Sequence, residues 1–294
     1  MSYLKVCKNA SSGATKNTGF KNPDCLETLL DLPILSKGHA FPDIADFETV
    51  ASWKAAIQSK ALVPLFDVFE VADASTEDTK FESGNFSKIT EKGVEKVTFE
   101  CYLSHCAYEA LKSFEESDYN ELFEFNQGSD YSGIFDADGT RVRGRKIKSI
   151  SVNRKRATKE KVPYVTGEIV FEDKDDTLTF GAVVTTGDLT KDDLDGIYDV
   201  SLKQVSASST QIKFKATSGC AGDENVDSLA EANFTVKDGT GQVQTIGFVA
   251  ADSNNEYTIT GTGFASGFTV EIDGVVAQSD IFYEGTGPLT IAVS

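Results

Sequence analysis

The sequence predicts a mainly β protein: an α+β first domain, in which one or two helices flank a β-sandwich or barrel, followed by a smaller β-sandwich. Three observations predict this fold class. The chain has 294 residues, about twice the usual domain length, so two domains are the starting expectation. Short runs of alternating apolar and polar residues recur along most of the chain, which is the period of half-buried strands. Only two segments repeat apolar residues at helical spacing.

The composition is that of a folded chain with an acidic surface. Hydrophobic residues make up 40% and charged residues 25%, an ordinary globular mixture. The net charge of −18 argues against general binding to nucleic acid or anionic lipid. There is no apolar run long enough to span a bilayer and no apolar secretory core near residue 1, so we expect a soluble protein without membrane contact or export. The five cysteines are scattered and odd in number, which is typical of reduced thiols in the cytosol.

The first elements are an arm and a helix. Residues 1–40 are polar and contain glycines and prolines, and we interpret them as an extended arm that holds one short apolar run. A helix is predicted over residues 45–62, because apolar residues from Phe47 to Ile57 recur at three- and four-residue steps behind Asp43, a suitable N-cap.

The rest of the first domain alternates strands with turns. The predicted elements are a strand at 65–71, a long hairpin loop or protruding arm at 72–93, a strand at 94–103, a helix from Ser104, a short turn at 118–125, a strand–turn–strand around 136–139, and strands near 162–173 and 176–185.

A domain boundary is predicted at residues 185–196, which are acidic, contain glycines and lack apolar periodicity. The remaining third of the chain consists of short alternating strands with regular turn signals, which is typical of a small sandwich. The resulting domains are an N-terminal arm (1–40), an α+β domain (41–186) and a β-sandwich domain (195–294).

The strongest local anomaly is the basic segment, residues 141–161, with ten of the 28 Lys and Arg residues and a single Glu. Alternate residues of a strand share one face, so its first three arginines should form a charged stripe. We interpret the segment as a contact for an acidic surface on an adjacent subunit, because complementary patches fix the register of repeated copies. The candidate interface residues are Arg141, Arg143, Arg145, Lys146, Lys148, Arg154, Lys155 and Arg156.

Two other interpretations of the basic segment stay open. A phosphate backbone could bind such a stripe, but no aromatic residue lies between Phe135 and Tyr164 to stack on single-stranded bases. The segment could also be a solvated strand without a partner.

No pattern in the sequence predicts catalysis, so we expect no enzyme activity, no metal and no cofactor. The motifs of common hydrolases, zinc proteases and nucleotide-binding loops are absent. Residues 136–139 lack the later ligands of a calcium loop and predict a hairpin turn. Residues 223–227 are interpreted as a loop, with weak calcium binding as the alternative. Cys101, His105 and Cys106 lack a fourth zinc ligand, so we expect Cys101 in the core and His105 at the start of a helix.

The second domain resembles an immunoglobulin-like repeat of bacterial or phage proteins. In residues 233–274 a strand–turn–strand is followed by a Tyr-Thr-Ile strand and then by a Gly-Phe-Thr-Val strand, as in the second half of such repeats. The paired cysteines and core tryptophan of antibody domains are absent. The resemblance therefore implies only the architecture, an immunoglobulin-like β-sandwich.

The first domain resembles the tail-tube and related ring proteins of tailed bacteriophages. The likeness lies in the order of elements over residues 40–185, in which the run 81–117 is followed by a strand and Phe-Asp-Ala-Asp-Gly. In that group a β-sandwich with flanking helices assembles into rings, and an immunoglobulin-like domain is commonly appended at the carboxyl end. No functional residue is transferred.

The resemblance implies a virion structural protein, a tail-tube or neck-ring subunit assembled in the host cytoplasm. The expected partners are copies of itself in a ring or tube and other virion proteins, with weak contact of an outward immunoglobulin-like domain to host surface or glycan. Nucleic acid is expected only in passage through a lumen. The alternative is a binding module: a capsid-decorating protein or a cell-surface adhesin that recognises a glycan or a host surface.

Overall fold

The computed structural model describes residues 3–7, 30–65, 68–83, 86–102, 105–126, 130–159, 161–174, 182–186, 189–219, 222, 224–278 and 281–293. The chain divides into two compact units, Met1–Leu194 and Asp195–Ser294. Both are built mainly of strands, and the predicted fold class, a β-rich sandwich or barrel with few helices, is confirmed. Among the described residues, no helix has the length and hydrophobicity that crossing a bilayer requires.

The elements of the first unit follow in chain order. Its helices are α1 (Ile44–Glu48), α2 (Val50–Gln58), α3 (His105–Lys112) and a 3-10 helix at Lys191–Leu194. Its strands are β1 (Tyr3–Cys7), β2 (Leu30–Ser36), β3 (Ala40–Phe41), β4 (Leu62–Pro64), β5 (Val68–Asp73), β6 (Thr79–Ser83), β7 (Phe86–Glu91), β8 (Lys96–Cys101), β9 (Glu121–Asn126), β10 (Tyr131–Phe135), β11 (Val142–Arg143), β12 (Arg145–Lys155), β13 (Tyr164–Phe171) and β14 (Ala182–Thr186).

Twelve of these strands form one sheet with the order β1-β14-β10-β9-β12-β13-β8-β5, to which β2, β3, β4 and β11 add branches. Strand β9 is the branch point, because it pairs with β2 along one edge and with β10 and β12 along the other. Strands β6 and β7, which lie between β5 and β8 in the sequence, form a separate two-stranded ribbon.

Strand β9 lies between two cores, and all six of its residues are buried. On one face Phe123 packs against Trp53 of α2 and Phe47 of α1, with ring centroids 5.3 Å and 6.1 Å away. On the other face Leu122 belongs to a core with Phe99 of β8. Burial on both faces explains why the sequence of this strand does not alternate cleanly.

The turn predicted at residues 118–125 is wrong, because Glu121–Asn126 is this central strand. Its two glutamates look like surface residues in the sequence. Both are buried near arginines, Glu121 near Arg143 and Glu124 near Arg145, and pairing is the condition under which a carboxylate can be buried.

The arm predicted at residues 1–40 contains two strands of the sheet. Strand β1 pairs with β14, and β2 pairs with both β4 and β9. The apolar run inside the supposed arm is therefore a nearly fully buried strand. A short continuous apolar run is the signal of such a strand.

The single helix predicted over residues 45–62 is two short helices. Asp43 caps α1 as predicted, and its carboxylate accepts a hydrogen bond from Asp46 N at 2.9 Å. Thr49 then adopts an extended conformation (φ −94°, ψ 117°) and separates α1 from α2. The Trp53 indole donates to Phe47 O at 2.7 Å across this break, which places both aromatic residues in the same core.

The described residues of the second unit form two sheets. Its strands are β15 (Ile197–Ala207), β16 (Gln211–Ser218), β17 (Glu224–Asn225), β18 (Phe234–Lys237), β19 (Gly247–Val249), β20 (Tyr257–Thr260), β21 (Thr269–Ile272), β22 (Val275–Gln278), β23 (Ile281–Gly285) and β24 (Leu289–Thr290), with a 3-10 helix at Glu231–Asn233. One sheet has the order β19-β20-β16-β15-β23-β22 with β17 beside β16, and the other has the order β18-β21-β24.

The two sheets enclose one core. Phe214 of the larger sheet packs edge-to-face on Phe234 of the smaller one, with ring centroids 5.2 Å apart. Strand β15 changes partner along its length: residues 197–200 pair in parallel with β23, and residues 201–207 pair antiparallel with β16. The unit is a β-sandwich, as predicted.

Candidate interaction surfaces

The three arginines at the start of the basic segment are held by acids of the same unit. Arg141 Nε lies 2.7 Å from Asp136 Oδ2. Arg143 is largely buried and lies 3.9 Å from Glu121 Oε1. They do not form the exposed stripe that period-2 spacing predicts, because Arg141 precedes the strand and Arg145 is buried.

Arg145 is the centre of a buried ion-pair cluster. Its guanidinium donates to both oxygens of Glu95, at 2.7 Å and 2.5 Å, and lies 3.5 Å from Glu124 Oε1. It also lies over the ring of Phe171, 3.9 Å from the centroid. A planar fork that meets one carboxylate with two bonds is geometrically specific. Arg145 therefore fixes the internal structure and does not offer its charge at the surface.

The other predicted interface residues are exposed: Lys146, Lys148, Arg154, Lys155 and Arg156. Arg154 and Lys155 are the last residues of β12 and still pair with β13, and Arg156 and Lys159 lie in the connection between these two strands. We call these four residues the basic turn. The interface role of the exposed residues stays a prediction. The exposed candidates lie in the basic turn and at two lysines of β12, Lys146 and Lys148.

An acidic groove of about 500 Å³ lies over β5, β8, β12 and β13. Its carboxylates are Glu70, Glu100 and Glu168, and its other polar side chains include Ser151 and Asn153. Sequence reasoning missed this groove, because its residues come from four separate strands.

Two lysines partly neutralise the groove. Lys161 Nζ lies 2.8 Å from Glu100 and 3.3 Å from Glu70, and these contacts, with Glu100 the stronger, raise the pKa of Lys161 above its ordinary range. Lys96 lies 3.7 Å from Glu168. Glu70 reaches Lys161 from an irregular position of β5, where its φ is +50°.

The ribbon formed by β6 and β7 is exposed at every described position. It carries three large apolar side chains, Phe81, Phe86 and Ile89, which are 55%, 57% and 49% exposed. Phe81 lies opposite Lys88, and Phe86 lies opposite Ser83. The two phenylalanines are therefore diagonal neighbours on one face, and Ile89, opposite Lys80, lies on the other face.

The base of the ribbon is firmly attached to the sheet. Thr76 N donates to Val94 O at 2.9 Å, and Gly93 N donates to the Asp78 carboxylate at 2.7 Å. Lys174 also pairs with Asp78. Gly93 must be glycine, because a Cβ there would lie 1.9 Å from Thr76 O. Hydrogen bonds thus continue the pairing of β5 and β8 into the ribbon.

A pocket of about 380 Å³ lies beside the buried ion-pair cluster. Arg145, Glu95 and Glu124 line it together with Asp73 and Lys96. Both terminal nitrogens of the arginine already donate to Glu95. We therefore interpret this pocket as the solvent-facing side of the ion-pair cluster and not as a ligand site.

The predicted turn at 136–139 is confirmed. Asp136 N donates to Arg141 O at 3.0 Å, and Gly139 N donates to Asp136 O at 2.9 Å, with Gly139 at φ +68°. Hydrogen bonding to Arg141 is the main cause of the lowered pKa of the Asp136 carboxyl group, and it occupies an oxygen that a calcium ion would need.

The predicted positions of Cys101 and His105 are confirmed, since Cys101 is fully buried and His105 begins α3. Asp223 lies outside the described residues, and the loop predicted at 223–227 is wrong in part, because Glu224–Asn225 is the short strand β17, paired with β16. Among the residues that the structure describes, no group of three or more His, Cys, Asp or Glu side chains could hold a metal ion.

Comparisons with models of known protein families and with curated proteins found no match for this chain.

Proposed function

We propose that the protein is a structural subunit that assembles with copies of itself, as a tail-tube or neck-ring component of a tailed bacteriophage. The observation that carries the self-assembly is the exposed ribbon. A two-stranded ribbon is marginally stable alone, and this one presents Phe81, Phe86 and Ile89 to solvent. Free strand edges with apolar side chains are normally protected against association unless association is their role.

The charge distribution supports contact between identical subunits. At a net charge of −18, two copies repel each other on average, so association requires local complementarity. The basic turn supplies positive charge, and the acidic groove keeps an excess of negative charge, because its three carboxylates, Glu70, Glu100 and Glu168, face only the two lysines named above among the residues that the structure describes. A head-to-tail contact, in which the basic turn of one copy meets the groove of the next, is the type of contact that closes rings.

The assignment to a phage particle is supported by the order of elements in the first unit and by the β-sandwich that follows it, interpreted as immunoglobulin-like. In this proposal the protein acts through binding and assembly, without a catalytic step.

Sedimentation velocity and negative-stain microscopy of the purified full chain test the proposal. We expect species much larger than 31.7 kDa and images of rings or tubes. A chain that stays monomeric over a wide concentration series contradicts the proposal and favours the binding-module alternative, which glycan arrays and host-cell binding would then examine.

A charge-reversed variant tests the basic turn. We expect Lys155→Glu with Arg156→Glu to reduce the large species without changing the circular dichroism spectrum. The matched control reverses Lys203 and Lys215, which lie opposite each other in the second unit. Both variants change the net charge by the same amount, so an equal loss of assembly in both would show that only total charge matters.

A further inference from the structure

We infer that the ribbons of two subunits pair edge to edge through β6, antiparallel, around a two-fold axis at Phe81. The inference rests on the proposed self-assembly and specifies one contact and its symmetry. The occupant of the ribbon edge is therefore a second copy of the chain, and the product is a four-stranded sheet in the order β7-β6-β6-β7.

The outer edge of β6 is suited to this pairing. Among the described residues, no strand other than β7 pairs with β6. The ladder is regular from Lys80 to Ser83, whereas the extra residue at the β6–β7 irregularity, Thr90, lies on β7. An extra residue locally disrupts a strand's ladder, so β6 offers the more regular edge.

The sequence of β6, Thr-Lys-Phe-Glu-Ser, is self-complementary about its centre. When two such strands pair antiparallel with Phe81 opposite Phe81, Lys80 of each copy lies opposite Glu82 of the other. Directly opposite residues share one face of the sheet and stabilise it when their charges differ. The two-fold axis thus creates two Lys–Glu pairs, and a shift of the register by one residue loses both.

The same register gathers the exposed rings. Phe81 and Phe86 lie on one face of the ribbon, so the two copies together place four phenylalanines on one face of the new sheet. The opposite face carries the Lys80–Glu82 pairs and Ile89. Lys88, opposite Phe81, shares the face of the phenylalanines, so one face is mainly aromatic and the other mainly charged, an asymmetry that antiparallel sheets commonly show. The firm attachment of the ribbon at Gly93 and Asp78 limits the ordering required when two ribbons meet.

Charge variants test the pairing in the full chain. Lys80→Glu places glutamate opposite glutamate twice per contact, and we expect it to weaken the two-fold association roughly tenfold. The double variant Lys80→Glu/Glu82→Lys restores both pairs in reversed order and should restore the association. The matched control is Lys88→Glu, which makes the same change in charge on β7, one strand away from the contact. Sedimentation velocity over a concentration series is the measurement.

Cross-linking tests the register independently. Phe81→Cys brings two cysteines directly opposite each other, within disulfide range, and should give a covalent dimer under mild oxidation. Ser83→Cys is the control, because the two copies of residue 83 lie about 14 Å apart in this register. Wild type treated in the same way measures the contribution of the native cysteines.

The outcomes separate this inference from the proposed function. A two-fold association as strong in Lys80→Glu as in the wild type, or one that the double variant does not recover, overturns the ribbon pairing and leaves assembly through other surfaces. A Ser83→Cys dimer as abundant as the Phe81→Cys dimer also overturns it. A wild-type chain that is monomeric at every concentration overturns both proposals.

Discussion

The ring of Phe99 on β8 lies over Gly167 on β13, its partner across the strand pair. A Cβ at Gly167 would lie 2.0 Å from Cζ of Phe99. Glycine weakens a strand because it has no side chain to pack, but here the aromatic ring covers the space that the missing side chain leaves. Phe99 is 1% exposed, so the ring cannot move aside without disturbing the core.

We therefore expect Gly167→Ala to lower the free energy of unfolding of the first unit by about 1–3 kcal/mol, the usual cost of overpacking a core. Urea unfolding followed by circular dichroism measures it. Gly196→Ala, in the second unit, is the control for the exchange of glycine for alanine itself, because a Cβ there meets no atom within 4 Å. A Gly167→Ala chain as stable as the control would show that Phe99 has room to shift.

Removing the buried arginine should destabilise the first unit strongly. Arg145→Met leaves Glu124 buried without its cation, and we expect the free energy of unfolding to fall by about 3 kcal/mol. Lys191→Met removes a lysine from a pair with Asp31 in which both side chains are partly exposed, at 42% and 35%, and we expect it to cost less than about 1 kcal/mol. Urea unfolding compares the two variants, and equal losses would contradict the internal role of Arg145.

Tyr257 should be the most important hydroxyl group of the second unit. Its OH donates to Val226 O at 2.7 Å and accepts from Leu229 N at 3.1 Å, and burial raises the pKa of Tyr257 to about 12. Tyr257→Phe leaves two buried backbone groups without this partner, so we expect a loss of about 1–3 kcal/mol of stability. Thermal unfolding measures it. Tyr283→Phe is the control, and an equal effect would deny the special role of Tyr257.

The ion pair of Asp136 predicts that the stability of the first unit falls at acid pH. In the folded chain, the pKa of the Asp136 carboxyl group lies below its ordinary value of 3.8. The carboxylate therefore stabilises the fold fully above pH 3.8, and this contribution is lost as the pH falls through the folded pKa. The stability difference between wild type and Asp136→Asn should therefore be constant near neutral pH and shrink below about pH 3.8. Urea unfolding at several pH values measures it, and a difference that stays constant to pH 2 would contradict the ion pair with Arg141.

Local sequence patterns correctly predicted a helix cap, a turn and a helix start. The Asp43 cap, the turn at Gly139 and the start of α3 at His105 depend on neighbours in sequence. The central strand β9 could not be predicted in this way, since Glu121 and Glu124 are polar residues made compatible with burial by distant arginines.

The candidate surfaces show the same limit. The spacing of Arg141, Arg143 and Arg145 predicts a common exposed face, but it cannot show that Glu95, fifty residues before Arg145, binds the last of them. The ribbon did leave a signal, because Phe81, Phe86 and Ile89 interrupt an otherwise polar segment. Neither helical spacing nor a buried pattern accounts for them, and such residues are candidates for contact with another molecule.

The change of partner along β15 has a consequence for synthesis of the chain. Residues 197–200 leave the ribosome early in the second unit, yet their neighbours are in β23, at Ile281–Gly285. The sandwich therefore cannot close during most of its translation, and the nascent polypeptide keeps an unfinished sheet until some eighty further residues have been added. During that interval, this end of β15 is an open strand edge to which chaperones could bind.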